Sequence, residues 1–451
     1  MQAIPKERYG VEIGSSLLIP EPGDINLNFP RWRDAQVRAI EWLHRAERAG
    51  ASSSYNVGWL EQPFEERRVS ILEAPPGTGK TGLILGLIAM NPQLRFLVLC
   101  ATKLEQTEYM RNMIEPEQYD VVQVKGKNNF HCIIKHEDET GECEDSECDL
   151  THVSEALCGV GFECEQKYGK DGCTYYQQRS RAKFAQAVIG NYSYGLASLN
   201  YAPGILGKFD VIVSDEGHIL DEQLEAFVKV RLTHRQFERL FGIELPKFSE
   251  GGDIPRWKSW VTDHLDDLVS SVKDEFSNVP VKDKNVAQTR RLNSMQSNLS
   301  SLTKIREMSE DWIIEEDSDG IEIQPVWVKE ESHKVLFAHA QRHIIMSGTI
   351  PSPSELTKKI GLKATDFDFL RLPYIFPAEN RPIIIRPKIS LARGDLQQNL
   401  PALVSIIDET LLEQFREREI KVLIHSKTYE ITQYNKEHSQ FSSLILTHRT
   451  A

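Results

Sequence analysis

Residues 71–87, ILEAPPGTGKTGLILGL, have the order of a buried strand, a Gly-rich turn and the start of a helix. This order matches the P-loop signature, except that Ala74 stands where the first Gly is usual. Glycines in such a turn let backbone N–H groups close around a β-phosphate, and the helix start adds its dipole. Lys80 would offset charge on the β and γ oxygens, and Thr81 would ligate Mg²⁺. The predicted nucleotide contacts in this stretch are Pro76, Gly77, Thr78, Gly79, Lys80 and Thr81.

A second stretch, VIVSDEGH at residues 211–218, supplies the acidic partner of the P-loop. Its apolar residues run into Asp215 and Glu216, where a strand of a parallel sheet would end and present its ligands. Asp215 is expected to hold Mg²⁺, largely through water, and Glu216 to orient and deprotonate the attacking water. His218 is expected to contact both the nucleotide side and the cleft. The predicted catalytic residues are therefore Lys80, Asp215, Glu216 and His218.

Further apolar runs are spaced along the chain, each followed by polar residues and a helical pattern. Such runs are typical of a parallel sheet covered on both faces, so an α/β fold is predicted. They are RRVSILEA from Arg67, RFLVLCA from Arg95, AVIGN from Ala187, FDVIVSDE from Phe209, RHIIMSGT from Arg342 and IKVLIHS from Ile420. Residues 220–310 predict helices, for example WKSWVTDHLDDLVSSVKDEF. The next stretch, WIIEEDSDGIEIQPVWVKEESHKVLF, alternates like two strands that return the chain to the sheet.

Composition limits the class of protein. The chain has 451 residues, of which 40% are hydrophobic and 26% charged, as in ordinary globular proteins, and its formal net charge is −13. That charge argues against binding a polyanion over the whole surface, but it is compatible with a local basic groove. No apolar run is long enough to cross a bilayer and the first residues have no apolar secretion core, so the cytoplasm is expected. Thiols are kept reduced there, so clustered cysteines favour metal ligands or redox centres over disulfides.

The P-loop together with DEGH resembles the DEAH-box group of superfamily 2 helicases, with Gly217 where Ala is usual. RWRDAQ places Gln36 like the adenine-reading glutamine of that superfamily. LCATKLEQ is similar to motif Ia, in which Thr102 and Gln106 would contact or support the track of the DNA backbone. The resemblance implies that Gln36 joins the P-loop residues at the nucleotide.

Two later stretches continue the resemblance in the expected order. MSGTI is similar to the S-A-T of motif III, in which Ser347 and Thr349 would link hydrolysis to the strand. VLIHSKT is similar to motif IV, which opens the second motor domain. Together these motifs imply a RecA-like motor that extends from about Phe29 to Thr428.

Six cysteines lie between motif Ia and DEGH: Cys132, Cys143, Cys148, Cys158, Cys164 and Cys173. Around them, KGKNNFHC, GCTYYQQR and GNYSYGLASL resemble the first and last ligand regions of the iron–sulfur helicases of the XPD/DinG type, in which four cysteines hold a [4Fe-4S] cluster. The resemblance implies Cys132 and Cys173 as the outer ligands. Cys158 and Cys164 are favoured as the inner pair because their segment, ALCGVGFEC, bears Gly and lies close to the last ligand. The alternative inner pair is Cys143 and Cys148, which lie in an acidic stretch.

Zinc and free thiols are the alternatives to a cluster. Zinc sites usually contain pairs of ligands about two to four residues apart, and the favoured cysteines include no such pair. Iron–sulfur clusters are held by four thiolates and accept irregular spacings. Cys100, on the motif Ia strand, is expected to be a small core residue. Asn191 and Tyr192 resemble the motif that follows the cluster in this family.

The implied architecture is an α/β, RecA-like P-loop NTPase domain with an iron–sulfur insert, a helical arch insert and a partial second RecA-like domain. The arch and the cluster domain would enclose a hole for single-stranded DNA. Its lining would include Arg290, Arg291, Lys304 and Arg306, unless these cations lie on ordinary solvated helix faces. The expected boundaries are 1–125, 174–219 and 311–378 for motor domain 1, 126–173 for the cluster insert, 220–310 for the arch and 379–451 for motor domain 2.

The family implies an ATP-dependent DNA helicase that uses ATP, Mg²⁺ and a [4Fe-4S] cluster. It would move 5′-to-3′ on single-stranded DNA and separate duplexes at junctions in DNA repair or replication. The printed sequence ends at Ala451, soon after motif IV, whereas the second motor domain of the family continues and carries the arginines of motif VI. The expectation is therefore weak ATP hydrolysis by this chain alone, as a fragment or as a split helicase completed by a second polypeptide. The alternative is a nucleotide- and DNA-binding regulatory module that does not translocate.

Overall fold

The structure is a computed structural model. The chain consists of two compact units, Met1–Ile375 and Phe376–Ala451. The residues that it describes are 11–13, 17–45, 68–113, 120–130, 173–246, 254–278, 286–308, 312–350, 352–377, 389–392, 394–415, 422–426 and 428–447.

The strands and helices of the described residues are numbered in chain order. The strands are β1 (Val11–Ile13), β2 (Leu17–Ile19), β3 (Arg68–Glu73), β4 (Phe96–Cys100), β5 (Val121–Gln123), β6 (Ala187–Asn191), β7 (Val211–Ser214), β8 (Val230–Thr233), β9 (Trp312–Glu316), β10 (Gly320–Pro325), β11 (Arg342–Ser347) and β12 (Phe367–Arg371). The helices are α1 (Asp34–Arg45), α2 (Lys80–Met90), α3 (Lys103–Arg111), α4 (Thr174–Ala182), α5 (Tyr192–Asn200), α6 (Leu220–Val228), α7 (His234–Phe241), α8 (Ile254–Asn278), α9 (Val286–Glu307), α10 (Lys329–Val335), α11 (Pro353–Lys359), α12 (Leu396–Phe415) and α13 (Tyr429–His438).

Within the described part of the first unit, seven strands form one parallel sheet in the order β12-β3-β11-β7-β4-β6-β5. The strand β3 leads into the P-loop, and β11 lies between it and β7. Glu73 pairs with Ser347, and Ile345 pairs with Ser214, so these three strands end at the same edge of the sheet. The P-loop, DEGH and MSGTI therefore lie side by side.

Successive residues of each central strand point to opposite faces, and both faces are buried. Ile71 and Leu97 belong to one core, which is covered by α5, α6, α8 and α9. Leu72 and Val98 belong to the other core, which is covered by α1, α2 and the Tyr109 side of α3. Helices on both faces explain why the strands are almost continuously apolar. The prediction of an α/β fold around a parallel sheet is confirmed.

Residues 220–308 are largely helical in their described part, as predicted. Trp257, Val261 and Leu265 of α8 join Leu302 and Ile305 of α9 in one apolar cluster. The two predicted strands that follow are β9 and β10, and they pair antiparallel. They do not return directly to the main sheet, because β10 pairs on its other side with β8 and completes a separate three-stranded sheet.

One predicted strand is wrong, and five of the described strands were missed. Residues 422–426, the described part of IKVLIHS, do not form a strand, and Leu423 is 79% exposed. A strand needs a hydrogen-bonded neighbour, and the described residues of the second unit contain the helices α12 and α13 but no other strand. The missed strands are β5 and β12, which form the two edges of the main sheet, together with β1, β2 and β8 of the smaller sheets.

No helix in the described ranges combines the length and the apolar character needed to cross a membrane.

Candidate nucleotide-binding site

The turn after β3 is held open by its own backbone. Gly77 and Gly79 have φ of +89° and +83°, a region that glycine enters without steric strain. The Thr78 side chain is buried, and its Oγ1 donates to the Pro75 carbonyl at 2.8 Å, as does its backbone N–H at 3.1 Å. Pro76 and Gly77 are exposed at the tip of the turn. Thr78 thus braces the turn from inside and leaves the tip accessible to a ligand.

The helix α2 begins directly after this turn. Gly79 is its N-terminal cap residue, and Lys80 and Thr81 are its first two residues. Residues 82–89 are all buried, so the helix is anchored in the core and its N-terminal end points at the turn. The free N–H groups and the positive end of the helix dipole favour an anion such as phosphate at this position.

Gln36, in α1, lies against the same turn. Its Nε2 donates to the Gly79 carbonyl at 2.9 Å, and its Oε1 accepts from the Arg33 backbone N–H at 2.9 Å. A Cβ at Gly79 would lie only 2.6 Å from that Nε2. The structure therefore brings the predicted adenine-reading glutamine to the P-loop, where it supports the backbone of Gly79.

Asp215 is buried at the end of β7 and is held by several hydrogen bonds. Its Oδ1 accepts from the backbone N–H of Glu216 at 2.9 Å, and its Oδ2 accepts from the Tyr109 hydroxyl at 2.8 Å. The Tyr192 hydroxyl donates to the backbone carbonyl of Asp215 at 2.8 Å. Burial raises the pKa of the Asp215 carboxyl from 3.8 to about 6, while the Tyr109 hydrogen bond and the charge of Lys80 oppose that rise. A buried carboxylate with remaining acceptor capacity fits a hard cation such as Mg²⁺.

Glu216 forms an ion pair with the P-loop lysine. Lys80 Nζ donates to Glu216 Oε1 at 2.8 Å, and both side chains are mostly shielded from solvent. The Glu216 backbone has φ of +50° and ψ of +43°, which is uncommon for a residue other than glycine. Such backbone geometry costs free energy and persists only where the surroundings impose it. The α/β fold, with its parallel seven-stranded sheet, thus places the turn after β3 next to the residues that follow β7.

A hydrogen-bonded chain joins Glu216 to β11. His218 Nδ1 lies 3.3 Å from Glu216 Oε2 and 2.8 Å from the Ser347 hydroxyl. The Ser347 hydroxyl also lies 3.4 Å from Glu216 Oε2, and it accepts from the Thr349 backbone N–H at 3.2 Å. The predicted DEGH and motif III residues are therefore in direct contact.

Gly217 has a steric reason to replace the usual Ala of DEAH. It is buried, and a Cβ added to it would lie 2.3 Å from Ile345 Cγ2 and 3.3 Å from the Met346 backbone nitrogen. Since carbon atoms in contact are about 3.5 to 4.0 Å apart, alanine does not fit without a shift of β11. The glycine follows from the close approach of the residues after β7 to β11.

The predicted motif Ia residues have different surroundings. Thr102 is exposed and caps α3 in a reciprocal capping box with Glu105. Gln106 is only 1% exposed, and its Oε1 accepts from Gln123 Nε2 at 3.3 Å. The buried Gln106 side chain therefore links α3 to β5, whereas Thr102 lies on the surface.

Among the predicted cluster ligands, only Cys173 lies within the described residues. It is buried and precedes α4. Gln178 of α4 exchanges two hydrogen bonds with the backbone of Lys125, at 3.0 and 2.7 Å. The chain thus leaves near residue 130 and returns at Cys173 beside the same edge of the sheet. The remaining cysteines of the predicted insert, Cys132, Cys143, Cys148, Cys158 and Cys164, lie outside the described residues.

Within the described ranges, no group of three or more His, Cys, Asp or Glu side chains is arranged to hold a metal ion. Cys100 is fully buried in the core around α2, in agreement with the expected core position.

Two of the four predicted arch cations have structural partners. Arg291 forms an ion pair with Glu275 at 2.7 Å and donates to the carbonyls of Arg239 and Leu240 at the end of α7. Lys304 donates to the Phe227 carbonyl at 2.8 Å, and burial lowers its pKa to about 8. Arg306 is exposed, and the side chain of Arg290 is outside the described residues. The contacts of Arg291 and Lys304 favour the structural interpretation over the lining of a hole.

Sequence reasoning missed Tyr109 and the ion pair between Glu73 and Arg371, whose Oε2 and Nε are 2.8 Å apart. Tyr109 follows Gln106 by one helical turn, and this spacing places both on the buried side of α3. The sequence could therefore have predicted that Tyr109 is buried. It could not have predicted the contact of Tyr109 with Asp215, because the two residues are far apart in sequence.

No protein-family model matches the chain, and no curated protein matches it in sequence. Solved structures are similar to it at low identity, among them three XPD structures. One, named XPD Helicase, is 15% identical, with a TM-score of 0.46 over 91% of this chain and 75% of its own. A truncated XPD is 16% identical, with a TM-score of 0.44 over 76% of this chain and 100% of its own. An apo XPD is 14% identical, with a TM-score of 0.42 over 90% of this chain and 72% of its own.

Proposed function

We propose that this chain is the motor of an ATP-dependent DNA helicase of the XPD/DinG type. It would move 5′-to-3′ on single-stranded DNA and act at duplex junctions in repair or replication. One observation carries the proposal: the contacts among Lys80, Glu216, His218 and Ser347 join three separate motifs at one edge of the sheet. Gln36 contacts the P-loop from α1, as a residue next to the nucleotide base would.

The geometry supports a division of labour between Lys80 and Glu216. Lys80 Nζ now donates to Glu216 Oε1. When ATP binds, Lys80 Nζ donates to the phosphate oxygens and no longer to Glu216, because the phosphates carry more negative charge than one carboxylate. Glu216 Oε1 is then released and accepts a proton from the attacking water.

Asp215 and Thr81 would hold Mg²⁺ next to the phosphates. When bound there, the ion would supply positive charge that offsets the negative charge developing on the phosphates. Asp215 fits this role because its carboxylate is buried and fixed by neighbouring donors. Thr81 fits because it is the second residue of α2, directly after the P-loop lysine.

His218 and Ser347 would couple changes at the nucleotide site to the bound DNA strand. Both groups touch Glu216, so a change in the partner of Glu216 alters the hydrogen bonds of Ser347 and Thr349. Thr349 lies in the segment after β11, outside the sheet. This connection supports the coupling of hydrolysis to movement that motif III implies.

The test is the rate of ATP hydrolysis with and without single-stranded DNA. We expect the strand to raise the rate, and we expect Glu216→Gln to abolish hydrolysis while ATP still binds. The matched control is Glu222→Gln, the same substitution at an exposed position of α6. If ATP binds but DNA leaves the rate unchanged, even with a completing polypeptide added, the chain is instead a regulatory module that binds nucleotide.

We further propose that Cys132, Cys158, Cys164 and Cys173 hold a [4Fe-4S] cluster. The support is the resemblance of the flanking segments, the four soft thiolate donors that such clusters require, and the burial of Cys173 where the chain returns to the sheet. The cluster would hold the insert together. About four iron and four sulfide per chain are expected after purification without oxygen. Zinc or no metal would refute the cluster and leave the P-loop proposal untouched.

A further inference from the structure

Two buried tyrosines touch Asp215 from different sides. Tyr109 and Tyr192 are each 1% exposed, and each donates its hydroxyl to Asp215 at 2.8 Å. The acceptors differ: Tyr109 binds the carboxylate oxygen Oδ2, whereas Tyr192 binds the backbone carbonyl. One hydroxyl therefore controls the side chain, and the other supports the chain at the end of β7.

A carboxylate next to a metal site has to be held in one orientation. Oδ1 of Asp215 is fixed by the backbone N–H of Glu216, and Oδ2 by Tyr109. An ionised carboxylate can accept about four hydrogen bonds or metal contacts. The protein uses two of these, so the remaining lone pairs of the Asp215 carboxylate point in a fixed direction, where they can bind a cation.

The Tyr109 hydroxyl is buried, so it destabilises the fold unless it has a hydrogen-bond acceptor. The residue lies on α3 in the apolar core around α2. A buried hydroxyl without a hydrogen-bond partner destabilises the fold, so its only favourable place is next to an acceptor. Asp215 is that acceptor, and the bond joins positions far apart in sequence.

We propose that Tyr109 is a positioning residue of the magnesium site, which holds the Asp215 carboxylate in the orientation that receives Mg²⁺. The inference rests on the proposed function, since it assigns a role within the same site. Partners of this kind, which bind a metal ligand and not the metal, typically change metal affinity about 10- to 100-fold when they are removed.

The experiment compares Tyr109→Phe with Tyr192→Phe in the full chain. Both changes remove one buried hydroxyl and keep the ring, but only the first removes a bond to the carboxylate. Binding of a fluorescent ATP analogue is measured while Mg²⁺ is titrated, and again in EDTA. For Tyr109→Phe we expect the half-saturating Mg²⁺ concentration to rise about 10- to 100-fold, with binding in EDTA unchanged. For Tyr192→Phe we expect a change of less than about threefold, because the hydrogen bond that it removes goes to the backbone and not to the carboxylate.

A second comparison separates positioning from general loosening of the fold. In an Asp215→Asn background, Tyr109→Phe should not change the Mg²⁺ dependence further, because the carboxylate that it positions is gone. The inference is overturned if Tyr109→Phe leaves the Mg²⁺ dependence of the wild type unchanged, if Tyr192→Phe shifts it equally, or if the effect persists in the Asn background. Failure of the wild-type chain to bind the analogue at any Mg²⁺ concentration would overturn the proposed function as well.

Discussion

The substitution Gly217→Ala tests why this chain has DEGH and not DEAH. The added Cβ would lie 2.3 Å from Ile345 Cγ2, more than 1 Å inside the usual contact distance of about 3.5 Å. Ile345 is fully buried in the central strand β11, so its methyl group has no free space to enter. Forcing an extra methyl into a packed core costs about 1–3 kcal/mol.

Part of that cost is offset in the unfolded chain. Replacing Gly by Ala reduces the entropy of the unfolded state and stabilises a protein by about 0.4–1 kcal/mol where the native backbone permits alanine. We therefore expect Gly217→Ala to lower the free energy of unfolding by about 1–2 kcal/mol. The displacement of Glu216, the preceding residue, should also reduce ATP hydrolysis.

Gly348→Ala is the matched control. Its Cβ would lie 3.4 Å from Lys80 Nζ and 3.6 Å from Pro76 Cδ, which are ordinary contacts. The control should leave the free energy of unfolding within about 0.5 kcal/mol of the wild type. The assay is urea unfolding of the full chain, monitored by tryptophan fluorescence.

A double-mutant cycle identifies the contact. Ile345→Ala removes the methyl group that Gly217→Ala would strike, so the double variant should be more stable than the sum of the two single effects by about 0.5–3 kcal/mol. Equal stability of Gly217→Ala and Gly348→Ala, or strict additivity with Ile345→Ala, would refute the steric explanation.

Three further predictions concern other parts of the first unit. Because burial raises the pKa of Asp215 from 3.8 to about 6, its ionisation destabilises the nucleotide-free fold as pH rises. Asp215→Asn should therefore be more stable than the wild type by up to about 3 kcal/mol at pH 7.5, a gain that shrinks between pH 6 and 4 in thermal unfolding; equal stability at pH 7.5 would contradict this. Arg291→Ala should destabilise the chain by about 1–2 kcal/mol in urea unfolding, because Glu275 and two carbonyls lose a partly exposed donor; similar loss in Arg306→Ala, at an exposed position, would refute a specific effect. Cys173→Ser should lose iron and keep ATP binding, whereas full iron content by metal analysis would exclude Cys173 as a ligand.

The local parts of the fold could be predicted from the sequence. The strand, turn and helix around Lys80 follow from a continuous stretch whose apolar residues, glycines and helix start are adjacent. The same holds for the apolar runs of β4, β6, β7 and β11, since a strand buried on both faces has few polar residues. The run IKVLIHS has the same appearance, but its described part, residues 422–426, is not a strand. Apolar composition alone does not supply the neighbouring strand that a ladder requires.

The contacts that join the motifs could be predicted only in part. The resemblance brought Lys80, Glu216 and Ser347 to one site, but the direct Lys80–Glu216 ion pair depends on a bent backbone with φ of +50° at Glu216. The role of Tyr109 depends on the packing of α3 over β4 and β6, which brings its hydroxyl to Asp215, and that of Gly217 depends on the distance to β11. These relations are set by the order of strands in the sheet, which places residues far apart in sequence next to each other. The cluster ligands apart from Cys173 stay a prediction from sequence.

The most direct test of the central claim, a nucleotide site built on Lys80, is equilibrium binding of ATP with Mg²⁺ by calorimetry. Wild type, Lys80→Ala and the control Lys363→Ala, at an exposed position, would be compared at the same pH and salt. The account predicts saturable binding of one ATP by the wild type and by Lys363→Ala, with strongly weakened binding by Lys80→Ala. Equal binding by all three proteins, or no binding by the wild type, would contradict it.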